Sequence, residues 1–429
     1  MGNTKHNMVP YMIFVVLFLN SIATFLSSNL DASSVAISIS YGLLLVVPFG
    51  FVLANLHELY FRKAGFYIKL ILPWIFFMWL TSLKLLAEYP IRSVVRAVCF
   101  QSGPLLMFLC FFIQGKSSTA GNFKANQRLF FILTAFAVFF FSCELIMKEK
   151  YFFGDILRIG SVLYVTMLLP WISILKNRTL RYILLAGISC LTLFSMKRSV
   201  LIQIFVGGFF YVLIQNVIIE QRKKALFILL TPFFLASLFL VFLYVNRSTS
   251  GVLFEHAKQL QEDKGSGRLY IWASLWQEYK TWPFINRVVG KGYYAIREYL
   301  AEYEAHNDFL QALWGYGAIG FLANVFFSIY LSVKAAGMIL RRHPYAASFA
   351  FAVISFLIIS MVSYNLYTMY WSLYILAFLG YICGIDQHEK NLRTLYPDLT
   401  TIELHQLRQE GCNFEVFENS SVQWIEMTQ

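Results

Sequence analysis

Long apolar runs, many of them close to 20 residues, occupy most of this sequence and leave few folds open to it. An α-helix needs roughly 20 apolar residues to cross the hydrocarbon core of a bilayer. Hydrophobic residues make up 58% of the 429 residues and charged residues only 14%, far from the balance of a soluble domain. The sequence therefore predicts an all-α integral membrane protein, and polar chemistry is expected in its few polar stretches.

About twelve runs are long enough to be transmembrane helices, and basic residues in the loops orient them. The runs lie near 9–27, 35–56, 68–86, 94–114, 129–147, 156–175, 182–195, 199–219, 225–245, 307–331, 345–362 and 366–384. Three Lys or Arg residues occur in each of five alternate short loops, near 62–69, 116–128, 176–181, 222–224 and 334–342. Because cytoplasmic loops are enriched in basic residues, both termini are predicted to be cytoplasmic. The chain then divides into helices 1–9 (1–245), one large extracytoplasmic loop (246–306), helices 10–12 (307–384) and a cytoplasmic tail (385–429).

Charge, cysteine content and internal similarity argue against several other classes of protein. The net charge of +12 fits basic loops that face anionic lipid. Nucleic acid is not an expected partner, since no folded basic domain with aromatic readers is recognisable. Five of the six cysteines fall inside predicted spans, so neither a disulfide framework nor a metal site is supported. The two halves of the chain differ, which weakens an inverted-repeat transporter.

The extracytoplasmic loop is predicted to carry two short helices. A Gly-Ser-Gly turn at 265–267 interrupts the chain, and large apolar residues then recur at helical spacing over 269–279. Such a helix is expected to lie along the outer face with its Trp and Tyr residues at headgroup depth. Pro283 ends it, and a second helix is predicted at about 294–303.

Two groups of cations near the outer face are candidate anion sites. Lys197 and Arg198 join two predicted spans, where a cation either extends to water or binds an anion; the anion site is the favoured interpretation. Arg268 follows Gly267 at a predicted helix start, where backbone N–H groups and the helix dipole attract phosphate. Its planar guanidinium also matches phosphate oxygens. A solvated loop arginine is the alternative for Arg268.

His306 is the candidate catalytic base. Its imidazole titrates near neutrality and can take a proton from a hydroxyl group, although an isolated His at a helix entrance is more often a cap or a packing residue. Glu302 lies four residues earlier, a spacing that would bring its carboxylate to the imidazole in a continuous helix. Asn307 is suited to cap the following span.

Residues 315–320 spell GxGxxG, the glycine pattern of dinucleotide-binding proteins. That pattern binds a dinucleotide only between a strand and a helix, and no strand is predicted before it. Close helix packing through small residues is therefore the favoured interpretation.

Taken together, three segments resemble the O-antigen polymerase/ligase superfamily of bacterial inner-membrane glycosyltransferases. They are Ser195-Met196-Lys197-Arg198-Ser199, then Gly267-Arg268-Leu269-Tyr270-Ile271-Trp272 through Pro283 to Gly290-Lys291-Gly292, and finally His306-Asn307-Asp308-Phe309-Leu310-Gln311 with Gly317 and Gly320. Their order, their spacing and the single large external loop all match.

The resemblance implies a fold, a reaction and a set of roles. The fold would be like that of C-type glycosyltransferases, with the active site beneath the external loop. The donor would be a glycan on polyprenyl pyrophosphate, with no nucleotide sugar, metal or other cofactor. Arg198 and Arg268 would bind the pyrophosphate, with Lys197 beside them, and His306 would be the essential histidine. Membrane lipid, a chain-length regulator and a flippase would be further partners.

Three functions remain open at this point. A polymerase joins lipid-linked repeat units, whereas a ligase moves the finished glycan to lipid A–core; the Lys-Arg turn and the helix after Arg268 favour the polymerase. A flippase should carry charged residues along several helices, whereas the notable charges cluster near one face. Trp272 and Trp276 are expected either to stack on sugar rings or to anchor the loop at the membrane interface.

Overall fold

The computed structural model describes residues 34–60, 65–117, 120–149, 161–193, 197–221, 268–300, 305–363 and 371–395, with a few single positions besides. Several sequence predictions fall on other residues. The predicted span near 225–245, Gly267, Glu302 and the cytoplasmic tail beyond 395 lie outside the described residues, and the first predicted span is described only at isolated positions.

The described residues form helices, and no strand occurs among them. Before the loop these are α1 (Ser34–Ala54), α2 (Phe66–Leu83), α3 (Ile91–Lys116), α4 (Ala120–Glu149), α5 (Val162–Ser173), α6 (Arg178–Leu193) and α7 (198–219), with short turns at Leu56–Tyr60 and Lys84–Ala87. In and after the loop they are α8 (Arg268–Thr281), α9 (Phe284–Val289), α10 (Ala295–Tyr299), α11 (Asp308–Leu340), α12 (Ala346–Val362) and α13 (Ser372–Leu395).

Within this part of the chain, five helices are long and apolar enough to cross a membrane. They cover Phe66–Ala87, Ser93–Lys116, Asn122–Ile146, Ser199–Ile219 and Asp308–Leu340. Helices of this length and composition match the thickness of the hydrocarbon core. The protein is thus an all-α, multi-pass membrane protein, as the sequence predicts, while the count of twelve spans and their orientation stay predictions.

Helices α3 and α13 pack with their backbones in contact because glycines remove the intervening side chains. A Cβ atom on Gly380 would lie 2.2 Å from the carbonyl oxygen of Phe108, and one on Gly384 would lie 2.1 Å from that of Phe112. Two small residues four positions apart are a common means of close helix contact in membranes. The facing residues of these two helices belong to the hydrophobic core of the described bundle.

A buried ion cluster joins the far end of α11 to α13. The Asp386 carboxylate, fully buried, lies 2.5 Å from Lys334 Nζ and 2.7 Å from Arg341 Nη2. Next to it, His343 Nε2 lies 2.9 Å from an oxygen of the buried Glu389 carboxylate. At 1.5 Å per residue this cluster is on the order of 40 Å along α11 from its first turn. It therefore joins α11 to α13 at the end of α11 that is away from His306.

Candidate active site

A kink in the first half of α11 provides the surface on which the loop is built. Gly317 departs from helical geometry with φ +65°, and a Cβ atom there would lie 2.3 Å from the Val288 carbonyl. Gly290 has φ +79°, and a Cβ atom there would lie 2.4 Å from the Gly315 carbonyl. Glycine alone accepts both the positive φ and the close approach. The GxGxxG stretch therefore packs backbone against backbone, which is the interpretation that the sequence favoured.

A backbone hydrogen bond and two tryptophans fasten the loop to this kink. Lys291 N donates to Trp314 O at 2.9 Å. The buried rings of Trp282 and Trp314 meet edge to face, with their centroids 4.7 Å apart, and Trp314 Nε1 donates to Leu275 O at 3.2 Å. Aromatic pairs of this geometry add to the stability gained by burial. Helices α8 and α9 and the start of α11 are consequently one packed unit.

This packed unit determines the backbone of His306. Trp272 Nε1 of α8 donates to Ala305 O at 2.8 Å, immediately before the histidine. His306 itself has φ +49°, in a region that few non-glycine residues occupy. Asn307 then caps α11, as predicted, because its Oδ1 accepts hydrogen bonds from two N–H groups of the first turn at 2.9 and 3.1 Å. Uncommon backbone conformations held by their surroundings are concentrated at functional sites.

The C-terminal end of α12 brings the histidine segment and Arg268 together. Asn307 Nδ2 donates to Met361 O at 3.1 Å, and Arg268 Nη1 donates to the next carbonyl, that of Val362. The last carbonyls of a helix lack partners within the helix and carry its negative dipole end, so a cation is favourable here. An arginine side chain has five N–H donors, so Arg268 can cap α12 and bind an anion at the same time.

Lys197 adds a second positive charge to this place. It lies in the connection between α6 and α7, partly buried, with its Nζ 5.7 Å from the centre of the Trp371 ring. Burial and, to a smaller extent, the positive charge of Arg268 lower the pKa of Lys197 to about 8, and Glu144 opposes the shift. A lysine with this pKa is desolvated and close to another cation, which are the conditions for a strong interaction with an anion.

We refer to Lys197, Arg268, His306 and Asn307 as the α12-end cluster. Arg198, the other predicted cation of the Lys-Arg turn, is the first residue of α7, but its side chain lies outside the described residues. Gly267 and Glu302 also lie outside them.

The two tryptophans that were candidates for sugar contacts have different surroundings. The Trp272 indole is partly buried and hydrogen-bonds the backbone at Ala305, which makes it a support for His306. Trp276 is 47% exposed and stacks on Tyr279 with ring centroids 5.7 Å apart. Trp276 alone of the pair thus offers a substantial open ring face to a sugar or to lipid headgroups.

Asp308 is a site residue to which the sequence reasoning gave no role. Its carboxylate is fully buried, and Oδ2 accepts a hydrogen bond from Leu366 N at 2.9 Å. It thereby ties the first turn of α11 to the segment that follows α12. The available signal was a carboxylate directly after His306-Asn307 at the entrance of an apolar helix, where an ionisable residue is rare.

Comparison with known proteins finds a family resemblance in the same part of the chain. Residues 182–325 match the family model for O-antigen ligase. The matched segment runs from α6 to the middle of α11 and contains all four residues of the α12-end cluster. It confirms the resemblance to the O-antigen polymerase/ligase superfamily and leaves polymerases and ligases unseparated. No curated protein matches the chain.

Proposed function

We propose that the protein polymerises polyprenyl-pyrophosphate-linked oligosaccharide repeat units of an O-antigen, capsule or exopolysaccharide. The transfer takes place without a metal at the periplasmic face of the bacterial inner membrane. The observation that supports this most directly is the α12-end cluster, in which Lys197, Arg268 and the His306 segment meet within the family-matched part of the chain.

The cations of the cluster bind the pyrophosphate of the donor. Breaking the bond between the anomeric carbon and the phosphate oxygen leaves negative charge on the departing pyrophosphate. Arg268 and Lys197, together with Arg198, the next residue in the sequence, stabilise that charge in a site where little water competes. When no glycan donor is bound, the positive charge of Arg268 acts on Lys197. An incoming diphosphate relieves the repulsion between these two cations and favours the fully charged lysine.

His306 prepares the acceptor sugar. The acceptor hydroxyl oxygen forms a bond to the anomeric carbon as the bond from that carbon to pyrophosphate breaks, and the bonding electron pair leaves with the pyrophosphate. The hydroxyl proton passes to His306. The hydrogen bonds of Trp272 and Asn307 on either side of the histidine hold its backbone in place, so little freedom is lost when the acceptor binds.

A ligase is the second candidate, because the matching family model is described as O-antigen ligase. It would use the same cations and the same base, and would differ in its acceptor, which would be lipid A–core. The choice between the two therefore depends on which acceptor reaches His306 and not on the donor chemistry.

Purified protein in lipid vesicles, supplied with a synthetic repeat unit on polyprenyl pyrophosphate, tests this function. A polymerase lengthens the glycan in steps and releases polyprenyl pyrophosphate, whereas a ligase transfers it only after lipid A–core is added. Movement of unchanged substrate across the bilayer would instead identify a transporter. A deletion strain should correspondingly show single-repeat lipopolysaccharide for a polymerase, and polyprenyl-linked long chains with bare core for a ligase.

His306→Ala should abolish turnover while the protein still inserts and binds the donor. His57→Ala is a suitable control, because His57 lies on the short turn at Leu56–Tyr60 and is exposed. Arg268→Ala should weaken donor use strongly, whereas Arg287→Ala, an exposed arginine of the same loop, should change it little. Substantial activity in the His306 variant would remove the base from this mechanism.

A further inference from the structure

Two large apolar side chains at the start of α9 stand next to each other and remain exposed. Phe284 is 75% exposed and Ile285 is 62% exposed, although the short helix is held at both of its ends. Trp282, just before it, is buried against Trp314, and Gly290, just after it, lies against the backbone of α11. An exposed apolar patch on a fixed element marks a surface that contacts an apolar partner.

The helix on which α9 packs determines its height in the membrane. Apart from Asp308 in its first turn, α11 contains one charged residue, Lys334. The hydrocarbon core is about 30 Å thick, which corresponds to about 20 helical residues, and counting back from Lys334 by that length reaches Trp314. The backbone of Val288 in α9 meets α11 close to this point, at Gly317. Helix α9 therefore lies at the boundary between the hydrocarbon core and the headgroups.

From this height onward, α11 presents an apolar stripe to the outside of the bundle. Its exposed members recur three and four positions apart, which places them on one face of the helix. They are Ile319, Leu322, Phe326, Ile329 and Val333. An exposed apolar face on a membrane-spanning helix contacts lipid tails. The exposed pair of α9 thus lies at the height where the lipid contact of α11 begins, and the lipid leaflet is the apolar partner present there.

The charges around the exposed pair suit a leaflet that carries phosphate groups. Lys280 and Arg287 flank the pair and are exposed. The only carboxylate between positions 268 and 289 is that of Glu278. It is directed elsewhere, because its Oε1 accepts a hydrogen bond from Trp282 Nε1 at 3.2 Å and lies 3.8 Å from Lys291 Nζ. Basic residues beside an apolar and aromatic surface are typical of segments that lie at a phospholipid interface.

We propose that α9 inserts Phe284 and Ile285 into the membrane leaflet on the His306 side, with Lys280 and Arg287 on the phosphates of anionic phospholipids. Because α8, α9 and the start of α11 are one packed unit, this anchor fixes the height of the α12-end cluster. The cluster is then held near the headgroup phosphates, where the diphosphate of a lipid-linked donor lies. This consequence for the donor rests on the proposed function, whereas the insertion of α9 does not.

Spin-label accessibility in nanodiscs that each hold one copy of the protein tests the insertion. A nitroxide is attached at Phe284→Cys, with Gln277→Cys on the exposed polar side of α8 as the reference for water and Val333→Cys on the α11 stripe as the reference for lipid. Among the described cysteines three are buried, and all the other cysteines of the chain are replaced by serine.

Two relaxation reagents give the outcome. O₂ concentrates in lipid, whereas a water-soluble nickel chelate stays outside it. We expect the label at position 284 to respond to O₂ more than to nickel, as at position 333, and the label at position 277 to show the reverse. A nickel response at position 284 equal to that at position 277 would overturn the proposal. A label at 284 that is shielded from both reagents would also overturn it, because protein would then cover the pair.

Lipid charge tests the two cations. The label at position 284 should lie deeper in nanodiscs that contain phosphatidylglycerol than in nanodiscs of phosphatidylcholine alone. Lys280→Gln combined with Arg287→Gln should remove this difference in depth. An equal difference in both backgrounds would show that these cations do not bind the phosphates.

Turnover in the same nanodiscs tests the consequence for the donor. Phe284→Asn combined with Ile285→Asn should raise the KM for the lipid-linked repeat unit several-fold, because the loop loses its fixed height. Leu340→Asn removes an exposed apolar residue at the other end of α11 and should leave this KM unchanged. An unchanged KM in the double variant would overturn the link between the anchor and the donor. If the label lies in lipid but the wild type turns over no donor, the proposed function fails and the insertion stands.

Discussion

Replacing Trp272 by phenylalanine removes one hydrogen-bond donor and leaves an aromatic ring in place. The lost bond is the one from Trp272 Nε1 to Ala305 O, 2.8 Å long, directly before His306. Ala305 is fully buried, so water cannot readily replace the donor. The histidine backbone, with its φ of +49°, then has one support fewer against relaxation to a more common conformation.

The size of the effect follows from the value of one hydrogen bond. Leaving the buried Ala305 carbonyl without a donor costs about 1–3 kcal/mol, which corresponds to about a 5- to 160-fold change in an equilibrium. If that free energy serves to hold His306 in its catalytic position, kcat of Trp272→Phe should fall by about this factor. The KM for the donor should stay unchanged, because Lys197 and Arg268 are not disturbed.

Steady-state kinetics in vesicles with lipid-linked repeat units measure both quantities, and Trp276→Phe is the matched control. Trp276 lies on the same helix but is 47% exposed, so its indole N–H supports no backbone near the histidine. The control should keep kcat within about twofold, less than one hydrogen bond is worth. Equal falls in kcat in the two variants would mean that both rings contact sugar. A change in Trp272→Phe that is confined to KM would mean that Trp272 does not act through His306.

Three further predictions follow from other parts of the structure. Because the pKa of Lys197 is lowered to about 8, kcat/KM for the donor should fall by up to about tenfold per pH unit above pH 8. The free energy of unfolding should change in the opposite direction and rise with pH between about 8 and the pKa of an unfolded lysine, near 10.4. Urea titrations in detergent at several pH values measure this rise. Gly384→Val should lower thermal stability by at least about 1–3 kcal/mol, because its Cβ would lie 2.1 Å from a carbonyl of the adjacent helix, whereas Gly337→Val, with open space around it, should be tolerated. Asp386→Ala should destabilise by about 3–5 kcal/mol, because Lys334 at 2.5 Å is left buried without its counter-charge, and the yield of folded protein in detergent measures this.

The sequence was a good guide to the helices and a poorer one to the loop. Apolar run length predicted the positions of helices such as α3 and α12 because hydrocarbon thickness determines both. Pro283, however, was taken only as the end of α8, whereas it also stands just before α9 (Phe284–Val289). Proline fits the start of a helix as well as the position after one, and periodicity cannot detect a helix of six residues.

The candidate site divides in a similar way. Local signals pointed to Lys197, Arg268 and Asn307, because charge and capping residues at the lip of a span are unusual wherever they occur. No local signal pairs Asp308 with the backbone at Leu366, because this contact joins segments that are distant in the chain. It depends on how α11 and α12 pack, and sequence spacing alone does not determine that packing.

The end of α12 explains how two cations can be kept together and still bind an anion. The Val362 carbonyl that accepts the hydrogen bond of Arg268 carries only a partial negative charge. This hydrogen bond therefore orients the guanidinium without cancelling its charge. The same turn of α12 also accepts a hydrogen bond from Asn307, so the segment of the proposed base and the guanidinium of Arg268 share one support.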